Sequence, residues 1–124
     1  MISCDIYDNG CNGGNGINVH TFVAEYGVAL DSCKPYLSAK GQVPSCVIGC
    51  ANHLEPFRRC KVKGDSIRAV VGEVAMKNEI FQNGPMYCGF KVMSDFSGYQ
   101  GGVYIMTPGS SFSGGHAITV IKGY

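Results

Sequence analysis

Charge is scarce in this chain. Asp, Glu, Lys and Arg make up 15% of its 124 residues and the formal net charge is +1, so no attraction to nucleic acid or to an acidic membrane surface is expected. The one basic cluster, Arg58, Arg59, Lys61 and Lys63, is short and reads as a solvated loop. Long apolar runs are missing as well. None approaches the ~20 residues of a membrane span, and no membrane partner is expected. The opening "MISCDIYDNG" has neither a charged start nor an apolar core, so no export signal is read in it. There is no internal repeat, no low-complexity segment, no N-x-[ST] acceptor and no tryptophan.

What the chain does have is apolar residues, at 45%, as a globular rather than a disordered chain requires. Its 124 residues are enough for one domain with a core but not for two. It also has seven cysteines, at 4, 11, 33, 46, 50, 60 and 88. That density suggests a disulfide framework made in an oxidising compartment. An odd count without an export signal fits a piece of a longer chain, with one cysteine's partner and the signal upstream. The competing reading is zinc. Cys46, Cys50, His53 and Cys60 follow C-x3-C-x2-H-x6-C, but this spacing matches no common zinc motif. It also leaves the other cysteines unexplained. No metal is expected, and His53 reads as an exposed loop histidine.

Along the chain, "MISCDIYDNGCNGG" reads as loop. Val19, Phe22, Val23 and Tyr26 share one helical face, and Gly27 is placed to end that helix. Residues 31–65 hold Pro35, Pro44 and Pro56 and four cysteines without any period, which predicts irregular chain tied by disulfides. A second helix is predicted from about Gly72 to Gln82, stopped by "NGP" at 83–85. Its apolar residues lie on two sides, Val74 and Phe81 against Met76 and Ile80, which predicts a largely buried helix. Beyond it Met86, Cys88, Phe90 and Val92 alternate with their neighbours as in a strand. "GGVYIM" at 101–106 and "HAITVIKG" from His116 predict two further strands. Helices first and strands after make an α+β chain.

His116 stands behind Gly114 and Gly115 at the expected head of a strand. There the glycines let backbone or substrate approach and the strand fixes the imidazole, as a general base requires. These residues alone favour a structural histidine over a catalytic one. "GCNGGNG" at 10–16 lacks the preceding strand and glycine order of a phosphate cradle. It reads instead as a tight turn, or as a bare backbone edge that an extended peptide can join.

The motifs together say more. "SCD" at 3–5, "GCNGG" at 10–14, "KPY" at 34–36, "NGP" at 83–85, "SDFSGYQGGVY" at 94–104 and "GGHAI" at 114–118 occur in the order and spacing of the papain-like cysteine proteases. Over nearly its whole length the chain resembles the cathepsin B branch of that family. The resemblance implies the family's two-lobed α+β fold, truncated. Residues 1–50 would close the helical lobe and cleft wall, and 51–124 would form most of the β-lobe.

By the same resemblance His116 is similar to the catalytic histidine. Gly13 and Gly14 resemble the glycines whose backbone pairs with substrate, and Ala117 would help line the pocket for the second side chain before the scissile bond. Cys4–Cys46 and Cys33–Cys50 are the implied disulfides. Cys11 would pair with a cysteine in a segment before this chain, and Cys60 and Cys88 are left open between pairing and staying free. The substrate implied is a peptide or protein, no cofactor is implied, and the compartment would be lysosome-like or extracellular.

Two parts of the family's machinery are not found. No cysteine has the nucleophile's context, with a glutamine shortly before it and a tryptophan directly after. The chain also stops at "VIKGY", where the family continues to an Asn-Ser-Trp segment. The expectation is an internal fragment, inactive alone, whose partners include its own missing segments. Its apolar face would be uncovered and its solubility poor. Only "KPYLSAKGQVPS" separates Cys33 from Cys46, which leaves no room for the cleft-blocking insertion of cathepsin B. The parent is therefore expected to be an endopeptidase. The alternative is a non-catalytic homologue that binds peptides or another protein.

Overall fold

The computed structural model describes residues 1–122. They form two compact units, Met1–Ala69 and a second that begins at Val70.

The first unit is built on one helix, α1 (Gly16–Glu25). It starts where the Asn15 side chain accepts the Ile17 N–H at 2.9 Å, satisfying one of the donors a helix leaves open at its start. Phe22, on the predicted apolar face, is buried and lies 5.1 Å from the Tyr26 ring. Gly27 ends the helix at φ 73°. A Cβ there would also meet Arg59 Cβ at 2.9 Å and Cys60 O at 3.0 Å, so both conformation and contact require glycine. The close approach comes from a bridge in which Val28 and Cys60 exchange backbone hydrogen bonds of 2.9 and 2.7 Å.

Two members of the basic cluster do more than face solvent. Arg59 donates to Tyr26 O at 3.2 Å and Lys61 to Glu25 O at 2.6 Å, placing cations on the negative end of α1. The rest of the unit is irregular, as its lack of period predicts. Its buried side chains are Phe22, Cys33, Cys50 and Ser38. Disulfides Cys4–Cys46 and Cys33–Cys50 close loops with sequence separations of 42 and 17. With Cys46 and Cys50 bonded in this way, the C-x3-C-x2-H-x6-C cluster cannot hold zinc.

The second unit contains α2 (Glu73–Asn83) and two strands, β1 (Met86–Met93) and β2 (Phe112–Val120). Gly84, at φ 93°, ends α2 by donating to Ile80 O at 3.0 Å, and Pro85 cannot continue it. An ion pair of 2.7 Å joins Glu73 to Lys77 one turn on. The expected burial of α2 is not found. Met76 and Ile80 are half-buried, whereas Val74 is 72% and Phe81 90% exposed. A helix with apolar residues on two sides needs cover on both, and this chain covers one.

β1 and β2 pair antiparallel from Met86↔Val120 to Val92↔Gly114, with the register shifting before Met93↔Phe112. Met86, Cys88, Phe90 and Val92 are half-buried while Tyr87, Gly89 and Lys91 are exposed, the alternation of a one-sided strand. Two sequence expectations fail here. Residues 101–106 form bends and coil rather than a strand. Gly102 sits at φ 83°, Tyr99 donates its hydroxyl to Gly102 O at 2.7 Å, and the Tyr104 hydroxyl donates to Asp95 at 2.6 Å. Those bonds hold the segment as a loop. The other failure is the start of β2. It begins at Phe112, so His116 is its fifth residue rather than its first. Gly114 and Gly115 give no side-chain period, but their backbone pairs with Val92 and Lys91 all the same.

Candidate active site

His116 projects from the middle of β2 opposite Phe90. The two rings lie 5.8 Å apart at 81°, an edge-to-face pair worth roughly 1 kcal/mol beyond area burial. The imidazole is exposed. The glycines before it leave room beside it, since a Cβ built on Gly114 or Gly115 meets nothing within 4 Å. Ala117 pairs with Gly89 and, by strand alternation, faces the opposite side of the ribbon from His116. Cys88 shares the His116 side, but its thiol donates to Gly89 O at 3.5 Å. Unit two therefore presents a histidine with open approach and no thiol bonded to it among the described residues.

Gly13 and Gly14 belong to the first unit, between a 3₁₀ turn (Gly10–Asn12) and α1. Gly13 has φ 99° and open space where a Cβ would stand, and its carbonyl accepts from Asn9 N at 3.0 Å. Gly14 is glycine for a different reason. A Cβ there would fall 2.4 Å from Asp8 Cγ, and Asp8 is not free to yield. Its Oδ1 accepts from Asn15 N at 2.9 Å and from Asn18 Nδ2 at 3.0 Å, while Asn18 also donates to Tyr7 O at 3.0 Å. Asp8 and Asn18 thus shape the glycine edge. Sequence reading missed both, because their contact depends on the turn folding back on α1. The three remaining thiols are free: Cys11 and Cys88 half-buried, Cys60 exposed.

The first unit also contains a cavity of about 270 Å³, walled by Ile6, Phe22, Val28, Ile48 and Phe57, with Lys34 and Arg59 contributing charge. Ile6 and Ile48 are largely exposed, so this apolar wall is only partly covered by the chain itself.

The second unit's loop is organised by Asp95. One carboxylate oxygen accepts the Tyr104 hydroxyl at 2.6 Å and the other accepts Thr107 N at 2.8 Å. These bonds, the Tyr104 one first, hold the Asp95 carboxyl well below the usual carboxylate range. In return Asp95 raises the Tyr104 phenol to about 12. The lowered acid stabilises the loop above its unfolded value near pH 4, and that contribution fades as pH falls toward the folded value. The raised phenol keeps its contribution below about pH 10 and loses it as pH rises through about 12. A phenolate absorbance titration is expected to lose one tyrosine's amplitude near pH 12 in Tyr104→Phe, while Tyr7, raised by its hydroxyl's bond to Glu25, still ionises late. Complete ionisation of all tyrosines by about pH 11 would contradict the bond.

Comparison with known proteins identifies the family. The model of the papain family of cysteine proteases matches residues 1–124. Cathepsin B of Dictyostelium discoideum is 30% identical over 133 residues, covering 98% of this chain and 42% of that protein. Cathepsin B-like CP2 of Giardia intestinalis is 36% identical over 130 residues, covering 100% of this chain and 41% of that one. Among solved structures, procathepsin B S9 from Trypanosoma congolense superposes with a TM-score of 0.82 at 30% identity, over 97% of this chain and 42% of that chain. The chain therefore spans about two fifths of the length of these relatives.

Proposed function

The chain belongs to the papain family of cysteine proteases, with a truncated α+β fold of that type, and on that premise we propose that it is part of a cathepsin B-like endopeptidase in which His116 is the acid–base. The observation that carries the reading is the family match over the full chain, with His116 exposed on β2 behind two open glycines. The nucleophilic thiol comes from a segment outside residues 1–124. As imidazolium, His116 stabilises the thiolate and lowers its pKa. After the thiolate attacks the peptide carbonyl, His116 gives its proton to the leaving amine. It then takes a proton from the water that hydrolyses the thioester.

Gly13 and Gly14 offer backbone to the extended substrate, and Ala117 lines part of its pocket. Residues 1–50 close the helical lobe and 51–124 belong to the β-lobe. Cys11 bonds a cysteine outside the chain. The twelve residues between Cys33 and Cys46 hold no cleft-blocking insertion, which favours internal cleavage over removal of C-terminal dipeptides. The compartment is lysosome-like or extracellular, in keeping with two disulfides. No described helix is long and apolar enough to cross a membrane.

The test is direct. The purified chain, given a fluorogenic peptide amide, is expected to show no turnover above the buffer blank. Turnover that disappears on substituting Cys11, Cys60 or Cys88 would place a nucleophile inside the chain and overturn the reading.

A further inference from the structure

We propose that Phe90 is a positioning residue for His116, and that the aromatic stack of Phe96, Tyr99 and Tyr104, fastened by Asp95, holds Phe90 in place. The proposal rests on the reading of His116 as the acid–base and adds what aims it from within this chain.

Among the described residues the imidazole nitrogens have no hydrogen-bond partner, and the Phe90 ring, 5.8 Å away at 81°, is its one ring contact. An exposed side chain without such a contact changes rotamer on the ps–ns scale. A displacement of about 1 Å at a reacting group can cost around a hundredfold in rate, so the ring contact has consequences for a base. Edge-to-face packing is the arrangement the ring quadrupole favours, and it restricts both χ angles of the histidine.

Phe90 can aim His116 only if it is itself held. Phe96 packs on it at 5.4 Å and 70°. Phe96 is stacked on Tyr99 at 5.3 Å and 10°, and meets Tyr104 edge-on at 5.0 Å and 87°. The Tyr104 hydroxyl is bonded to Asp95 and the Tyr99 hydroxyl to Gly102 O. Asp95 and Phe96 lie in the same 3₁₀ turn, Ser94–Gly98. That turn is tied to the residue just before β2, because Ser94 N donates to Ser111 O at 2.8 Å and Ser111 N to Ser94 Oγ at 3.1 Å. The supports form a closed circuit. The turn that holds Phe90 is fastened to the strand that carries His116, so both rings move with one frame.

The test uses the chain alone, labelled with ¹³C in the histidine rings and observed by NMR. In the parent chain the His116 ring carbons are expected to show ring-current displacement and a single χ1 rotamer. Phe90→Leu is expected to abolish the displacement and average the rotamers while the β1–β2 amide signals persist, and Phe90→Tyr to restore both. Should Phe90→Leu fail to fold, Tyr104→Phe keeps every ring and removes only the bond to Asp95, and is expected to increase His116 ring mobility. His116 signals and mobility unchanged in whichever of these variants folds would overturn the proposal. None of these readouts needs turnover. The positioning claim can therefore fail while His116 remains the base, and can hold if His116 proves dispensable for hydrolysis.

Discussion

On the proposed reading, a peptidase that includes this chain is expected to lose about 10³-fold or more in kcat/KM when His116 becomes alanine. Two functions are lost together. Without imidazolium the thiol is mostly protonated at neutral pH, because a free cysteine has a pKa near 8.5. The leaving amine also departs without a proton. The loss should fall on kcat with little change in KM, since the backbone partners proposed for the substrate, Gly13 and Gly14, are untouched. Gly114→Ala is the informative neighbour. A Cβ there meets none of this chain's own atoms within 4 Å, so any loss of activity with the fold intact reports crowding of a group that approaches from outside. A loss below about tenfold for His116→Ala would remove the histidine from the mechanism.

Reducing the disulfides unfolds the first unit before the second. By loop length alone, Cys33–Cys50, with sequence separation 17, contributes about 3 kcal/mol, and Cys4–Cys46, with separation 42, about 4 kcal/mol. Those figures are large against a core whose buried apolar side chains are Phe22, Cys33 and Cys50. A Cys33→Ser, Cys50→Ser double variant removes the covalent tie and places hydroxyls at two buried positions of the unit. It is expected to lose protection of α1 amides from hydrogen exchange, while the β1–β2 ladder keeps its own. Equal loss in both units would show that the disulfides act on the whole chain rather than on Met1–Ala69.

The same contrast explains what could be read in advance. α1 was legible because Val19, Phe22, Val23 and Tyr26 mark one face and Gly27 has to leave the helix. β1 was legible because Met86, Cys88, Phe90 and Val92 alternate with Tyr87, Gly89 and Lys91, and burial alternates with them. Both signals are local. The start of β2 was not legible, since a ladder through Gly114 and Gly115 uses backbone groups that every residue has. "VYIM" has strand composition, yet its conformation is decided by Asp95, nine positions before Tyr104. The burial of α2 depends on what else covers it, which its own sequence does not state.

The candidate site divides in the same way. His116, Gly13, Gly14 and Ala117 could be named from motifs. Phe90 could not, because its contact with His116 depends on a register that appears only once the strands pair. Asp8 and Asn18 were missed for the same reason, since they meet only after the glycine turn closes.

The central claim is that His116 serves a nucleophile outside these 124 residues, and sequencing the intact transcript through both ends tests it most directly. The account predicts one open frame running upstream through a glutamine and a Cys-Trp pair and downstream through an Asn-Ser-Trp segment. A message whose coding sequence starts at Met1 and stops after Tyr124 would contradict it. The chain would then be a papain-family protein without a nucleophile, and its glycine edge a surface for binding peptides rather than for cutting them.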